Sequence, residues 1–326
     1  MNFTNKTILV TGGTGTFGEV FLKNFLRVYN PDRIRIFSRD EHKQEGLINR
    51  YKDKVDGFIG DVRDKERLQR AMEGVDIVLH AAALKRVQSC EYNPFETIKT
   101  NVLGSMNVAD CALNAGVEKV LAISSDKAVA PLNLYGATKM CMEKLLIHSN
   151  SYRGKKKTKI SCVRYGNIMG ARGSVIPYWQ SQIIKKQPIT ITNPKATRFW
   201  FEPQEAIKFV VDSLEMMSVL GGGEIFIPKL PSFNLMDLFH AYAEGSEFTL
   251  IGDRVGDKLH ETLVLKEEMN HAIEMTDKYV VYPEKPKWEY SKSHAVWCNG
   301  KDAYTSDTNK QFLSIEEIKN RLQKVL

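Results

Sequence analysis

Tyr135 and Lys139 stand four residues apart in Tyr135-Gly-Ala-Thr-Lys139, ten residues beyond Ser125. On a helix, positions i and i+4 share a face. A lysine ammonium there can lower the tyrosine pKa, and a tyrosinate can then remove a proton from a substrate hydroxyl. Ser125 would hydrogen-bond that same hydroxyl. A Tyr-x-x-x-Lys pair alone arises by chance. Its weight comes from the serine and from a glycine loop upstream, Thr11-Gly-Gly-Thr-Gly-Thr-Phe-Gly18. Glycines at 12, 15 and 18 permit a tight turn and a close backbone approach to a pyrophosphate, and the helix they open supplies free N–H groups. Gly12, Thr14, Gly15, Thr16, Phe17 and Gly18 are therefore the expected pyrophosphate contacts. The ribose reader falls about 20 residues on, at Ser38-Arg39, with Lys43 one turn later. An acidic residue there would suit NAD. A hydroxyl followed by a guanidinium suits a 2′-phosphate, so NADP is the expected cofactor.

These residues need strands and helices to hold them. Thr7–Thr11, Arg33–Phe37, Gly57–Gly60, Asp76–Leu79, Lys119–Ile123 and Lys159–Arg164 read as strands. Helical patterns run over Val20–Val28, from an Asp40 cap through Tyr51, and from Pro94 to Ala115. Strands alternating with helices predict a doubly wound parallel α/β sheet of Rossmann type. After Gly166 the rhythm changes. Short strands at Ile189–Thr192 and Glu224–Pro228, mixed with helices, read as a smaller mixed α/β lobe. Ser314 and Glu317 open a last helix to Val325 with a capping box. The expected division is a cofactor domain over 1–166 and a substrate lobe over 167–326, with some C-terminal segments packing back on the first.

The chain has 326 residues, 43% hydrophobic and 26% charged, which excludes disordered, collagenous and coiled-coil classes. Net charge is +7, which suits a solvated basic surface or an anionic ligand. The cluster Arg153-Gly-Lys-Lys-Lys-Thr-Lys159 lacks interleaved aromatics, so no nucleic acid is expected. Five widely spaced cysteines without a CxxC argue against disulfides and zinc and fit a reducing cytosol. His260-Glu261 is not the H-E-x-x-H zinc motif. No apolar run reaches ~18 residues and no signal peptide precedes the first strand. The expectation is a cytoplasmic protein, without metal, that does not enter membranes.

The glycine spacing resembles that of extended short-chain dehydrogenases/reductases. Asp61-Val62 resembles that superfamily's adenine contact, and Ala81-Ala82-Ala83 its stretch of small residues beside ribose and pyrophosphate. Ser125-Asp126-Lys127 is similar to the Thr-Asp-Glu run of nucleotide-sugar 4,6-dehydratases, with lysine in the glutamate's place. With Asn133-Leu-Tyr-Gly-Ala-Thr-Lys139 it resembles the inverting UDP-N-acetylglucosamine 4,6-dehydratases of pseudaminic acid synthesis. The likeness continues through Ala81-Ala-Ala-Leu-Lys85, Arg164-Tyr-Gly-Asn167, Gly170-Ala-Arg-Gly-Ser-Val175, Thr197-Arg-Phe-Trp200 and Arg254-Val-Gly-Asp-Lys-Leu-His-Glu261. Arg86, Gln88-Ser-Cys90 and Tyr304-Thr-Ser-Asp307 look closer to capsule-sugar relatives.

The resemblance implies the roles. Tyr135, helped by Ser125 and Lys139, takes the 4-hydroxyl proton. Asp126 protonates the leaving 6-hydroxyl, and Lys127, if neutral, removes the carbon 5 proton. Burial and a nearby cation such as Lys139 are expected to push the Lys127 pKa down. Asp126 needs a dry pocket to act as an acid. Lys85 reaches cofactor and sugar. Asn167, Arg172, Gly173, Ser174, Val175, Arg198, Arg254 and Glu261 hold the UDP-N-acetylglucosamine. A homo-oligomer is implied. Three alternatives stay open: a dehydratase that retains carbon 5, a nucleotide-sugar 4-epimerase, and a silent NADP-binding protein.

Overall fold

The strand Thr7–Thr11 (β1) is buried at all five positions. A strand apolar on both faces belongs inside a sheet covered by helices on each side. The computed structural model, which describes residues 2–171, 173–288, 290 and 297–325, shows that arrangement. Strands β2 (Arg33–Ser38), β3 (Val55–Ile59), β4 (Ile77–His80), β5 (Lys119–Ile123) and β6 (Lys159–Val163) join β1 in the order 3-2-1-4-5-6, all parallel. This is a Rossmann-type doubly wound α/β fold. Chain direction reverses its progress between β1 and β4, which opens a crevice at the carboxyl ends of the strands.

Three more strands extend the sheet beyond β6. Ile225–Pro228 pairs parallel with β6, then Lys278–Val281 and Ala272–Glu274 follow antiparallel. The Glu224–Pro228 run, expected in the smaller lobe, therefore belongs to the large sheet. Its four strand residues are buried on both faces. The Glu224 carboxylate accepts from Ser161 Oγ at 2.6 Å and so fastens it to β6.

The helix expected from Pro94 to Ala115 is three pieces: Pro94–Ile98, a π turn at Lys99–Leu103, and Gly104–Ala115. A π turn inside a helix inserts a residue and often marks a functional site. Here it turns Asn101 inward. The structure adds a helix, Lys65–Met72, between β3 and β4, which buries Leu68, Ala71 and Met72; Asp64 caps it by accepting from Arg67 N. A second, smaller core gathers Trp179, Trp200, Phe233, Phe239, Leu313, Ile318 and Leu322. Trp200 is fully buried there. Among the described residues no helix is long and apolar enough to cross a membrane.

Candidate active site

A cleft of about 580 Å³ lies at the crevice. Gly12, Thr14, Gly15, Thr16, Phe17, Ser38, Arg39, Lys43, Asp61, Val62, Ala81, Ala82, Ala83, Lys85, Ser125, Tyr135, Lys139 and Asn167 all line it. Gly12 has φ +67°, and a side chain on it would sit 2.9 Å from the Ala82 backbone. Gly18 lies behind the cleft wall; a Cβ there would meet the Gly13 carbonyl at 2.0 Å. The helix Thr16–Phe25 thus starts tight against the loop, and no side chain caps it at Gly15. Its first residues, Thr16 and Phe17, line the cleft, and the free N–H groups of a helix start suit an anionic diphosphate. The donor set and the space left by the glycines fit a dinucleotide.

At the outer end, Arg39 Nη1 lies 3.8 Å from Asp61 Oδ2 and its side chain is 63% exposed. Arg63 binds the same carboxylate through Nε at 2.9 Å and Nη2 at 2.6 Å. Burial alone would raise the Asp61 pKa, but the Arg63 hydrogen bonds outweigh it and hold the group low. Lys43 pairs with Asp40 at 2.7 Å. Ser38 Oγ accepts from Gln44 Nε2 at 3.0 Å.

Between β4 and the helix that carries Tyr135 runs a polar network. His80 Nδ1 meets Thr11 Oγ1 at 2.7 Å and its Nε2 meets Ser105 Oγ at 2.9 Å. Complete burial pushes the His80 pKa down to about 3, so the imidazole is neutral. Asn101 Nδ2 donates to Leu84 O and Thr138 Oγ1, and Asn101 Oδ1 accepts from Leu84 N. The 81–85 loop is thereby locked to the helix that carries Tyr135.

That helix, Leu134–His148, is capped by Asn133, which accepts from Gly136 N at 2.8 Å. Gly136 decides its depth. A Cβ there would lie 2.2 Å from the Lys127 carbonyl, so only glycine lets the helix touch the turn bearing Ser125, Asp126 and Lys127. Burial raises the Tyr135 pKa to about 12, against the opposing pull of Lys127 and of a Ser125 hydrogen bond. Lys139 Nζ donates to Ile123 O at 2.7 Å, and burial lowers its pKa to about 8. The cation that pulls on the tyrosine is thus Lys127, where Lys139 was expected.

Asp126 is 2% exposed. Its Oδ1 accepts from Ser125 Oγ at 2.7 Å and from Lys127 Nζ at 3.3 Å. Lys127 Nζ also lies 3.3 Å from Glu261 Oε1. Burial pulls the Lys127 pKa down, as expected, but the Asp126 and Glu261 charges overcome it and the net direction is upward. The expected depression of Lys127 is therefore reversed: its neighbours are two carboxylates, not Lys139.

The other residues expected on the sugar are more dispersed. Arg198 donates to the Thr197, Leu259 and Lys258 carbonyls, with Nε 3.5 Å from Glu261 Oε1. Arg198 and Glu261 thus stand beside Lys127. Gly173, at φ +79°, and Ser174 lead into the helix Val175–Ile184. Arg254 lies over the Tyr178 ring at 5.9 Å. Arg172 lies outside the described residues.

The profile of the family described as polysaccharide biosynthesis protein matches residues 8–283. The chain belongs to that family. Within it, the chain is 42% identical to a Campylobacter jejuni protein named UDP-N-acetylglucosamine 4,6-dehydratase (inverting), over 97% of each. It is 40% identical to a Rickettsia massiliae protein named UDP-glucose 4-epimerase, over 98% of this chain and 96% of that one. The X-ray structure of Pen from Bacillus thuringiensis superposes with TM-score 0.90 at 36% identity, covering 100% of both chains.

The sequence reading missed two supports that this family member relies on. Asn101 was hidden inside an apparently regular helix. Arg164 read as a strand end, yet it forks onto Glu143 at 3.0 and 2.7 Å and onto Glu268 at 2.9 Å through both terminal nitrogens. A charged residue ending an apolar strand was the available signal, but its partners are 21 and 104 residues away.

Proposed function

We propose that this chain is a UDP-N-acetylglucosamine 4,6-dehydratase that uses NADP and inverts carbon 5. The product would be UDP-2-acetamido-2,6-dideoxy-β-L-arabino-hex-4-ulose, for pseudaminic acid or related glycan synthesis. One observation carries the reading: a buried Asp126, paired with the half-buried Lys127, adjoins Ser125 and Tyr135. A 4-epimerase needs the tyrosine, serine and Lys139 but has no use for that pair. A relative's name as an epimerase therefore weighs less than the residues.

Tyr135 takes the 4-hydroxyl proton as tyrosinate, the form that the Ser125 hydrogen bond favours against burial. Bound NADP supplies hydride acceptance at carbon 4 and hydride return at carbon 6. The 4-ketone acidifies carbon 5. Lys127 takes the carbon 5 proton, and the electron pair of that bond becomes the carbon 5–carbon 6 double bond. Asp126 gives its proton to the 6-oxygen, the carbon 6–oxygen bond breaks, and water leaves. Return of a proton to the opposite face of carbon 5 inverts it. Residues 167–326 would supply most sugar contacts, with Asn167, Gly173, Ser174, Val175 and Arg254 toward the nucleotide. Tyr92 and Phe95, 91% and 77% exposed, support a homo-oligomer.

The test is incubation with UDP-N-acetylglucosamine in deuterated water, followed by NMR. Loss of the 6-hydroxyl with deuterium at an inverted carbon 5 is expected. Deuterium at a retained carbon 5 would favour the retaining enzyme, and an intact 6-hydroxyl would remove the dehydratase reading. NADP preference rests on Arg39. Arg39→Ala is expected to weaken NADP binding by about tenfold, the loss of a charge-assisted hydrogen bond, and to leave NAD binding nearly unchanged. Titration calorimetry with both cofactors checks this, and equal loss for the two would count against the 2′-phosphate assignment.

A further inference from the structure

The segment Tyr304-Thr-Ser-Asp307 takes no part in the steps above, yet it grips the catalytic turn's neighbour. Tyr304–Thr305 pairs antiparallel with Thr262–Val264. Ser306 N donates to Glu261 O at 2.8 Å, and Glu261 N donates to Ser306 Oγ at 2.9 Å. Ser306 Oγ is itself 2.7 Å from Thr197 Oγ1. Glu261 is 2% exposed, so its backbone is fixed and its side chain has little freedom. Its Oε1 faces Lys127 and Arg198 at 3.3 and 3.5 Å. Its Oε2 is buried with no hydrogen-bond partner. A buried carboxylate oxygen without a donor is unfavourable and asks for a reason.

We propose that Glu261, clamped by Ser306, is the positioning residue for Lys127: it holds the amino group opposite Asp126 and supplies a constant negative charge during proton transfer. The proposal rests on the dehydratase reading above. Lys127 must be neutral to take the carbon 5 proton and cationic to return one. The charged and titratable groups facing it are Asp126 on its own turn, Glu261, Arg198, Tyr135 and Lys258. Asp126 changes charge during the reaction, from acid to carboxylate. Glu261 takes no part in the proton transfers. Before water leaves, Lys127 faces one carboxylate, opposed in part by Arg198. Once Asp126 gives up its proton, Lys127 faces two, and its proton affinity rises in the same event that brings it the carbon 5 proton. Release of the leaving group and capture of the proton are thereby coupled. Unused coupling would leave Glu261 as an ordinary sugar contact, which is a different prediction.

The experiment is Glu261→Gln, with kcat and KM for UDP-N-acetylglucosamine measured against pH. Glutamine removes a negative charge, so Lys127 loses its proton at lower pH. The acid limb of the kcat profile is expected to move down by about one to two pH units, the usual effect of one neighbouring charge. KM should change by less than about threefold, because no ground-state sugar contact is lost. Glu261→Asp sets the charge back by one methylene and should shift the limb in the same direction by less. It decides the matter if the glutamine variant does not fold in a thermal melt. A raised KM with an unmoved pH profile would overturn the proposal and return Glu261 to sugar binding. An unmoved profile with unchanged KM would also overturn it. Absence of dehydration by the wild-type protein would instead overturn the underlying function.

Discussion

Lys127→Ala is expected to lower the rate of water loss by about a thousandfold, within the usual range for a general acid–base group. Among the described residues the lysine amine touches both Asp126 and Glu261, at 3.3 Å each. In the proposed mechanism its removal takes away the acceptor of the carbon 5 proton. The variant also brings two buried carboxylates together without their shared cation. Like charges disfavour ionisation of both, so one of them is expected to hold a proton. That change leaves the glycine loop and Arg39 alone, so cofactor affinity should stay within a few-fold, about the uncertainty of a distant effect. The check is NMR of the product and of carbon 5 deuterium exchange, run beside Asp126→Asn. Loss of Asp126 should block departure of the 6-hydroxyl while Lys127 still exchanges the carbon 5 proton. Loss of Lys127 should stop exchange and dehydration together. Normal turnover of Lys127→Ala would sink its assignment as the base.

The second large effect is on stability. Arg164→Ala should cost about 3–5 kcal/mol, the range for removing one partner of a buried ion pair. Arg164 is 3% exposed and both its carboxylate partners are largely shielded. Glu143 lies on the Tyr135 helix and Glu268 on the short helix Lys266–Met269, so the guanidinium joins β6 to both. It also donates to Leu263 O at 2.9 Å. Alanine leaves the buried Glu143 carboxylate without its guanidinium and Glu268 with only the Leu265 N–H as a close donor. Urea unfolding measures the loss, and a change below about 1 kcal/mol, the size of an exposed pair, would refute the buried-network reading. Arg164→Met tests the same point from the other side. It fills the space but leaves both charges stranded, so it should recover only the packing share.

The cofactor half of the site was legible in the sequence because its determinants are local. Gly15 and Gly18 act through contacts with Gly12 and Gly13, three and five residues back, and Gly12 through its left-handed φ, to which the fold adds a close approach to Ala82. A strand, a turn and a helix start are contiguous in the chain, so spacing reveals them. The doubly wound sheet was legible for the same reason: each β-strand and crossover helix is one stretch of periodic sequence. Tyr135 and Lys139 were legible as an i, i+4 pair.

The electrostatics were not. Whether Lys127 gains or loses proton affinity depends on Asp126 and on Glu261, which is 134 residues away in the chain and is held by the 304–306 segment. From sequence, the nearest visible cation was Lys139, twelve residues on, and it predicted the wrong direction. In space, Lys139 turns to the Ile123 carbonyl and two carboxylates take its place. The same holds for Asn101, whose helix needed a π turn to aim it, and for Glu224–Pro228, whose sheet partner β6 lies some sixty residues earlier. The amino-acid order alone determined which groups could do chemistry and where the cofactor loop sits. Only the tertiary structure decided which charges face one another, because Coulomb interactions follow distance in space and burial, neither of which the spacing of residues encodes.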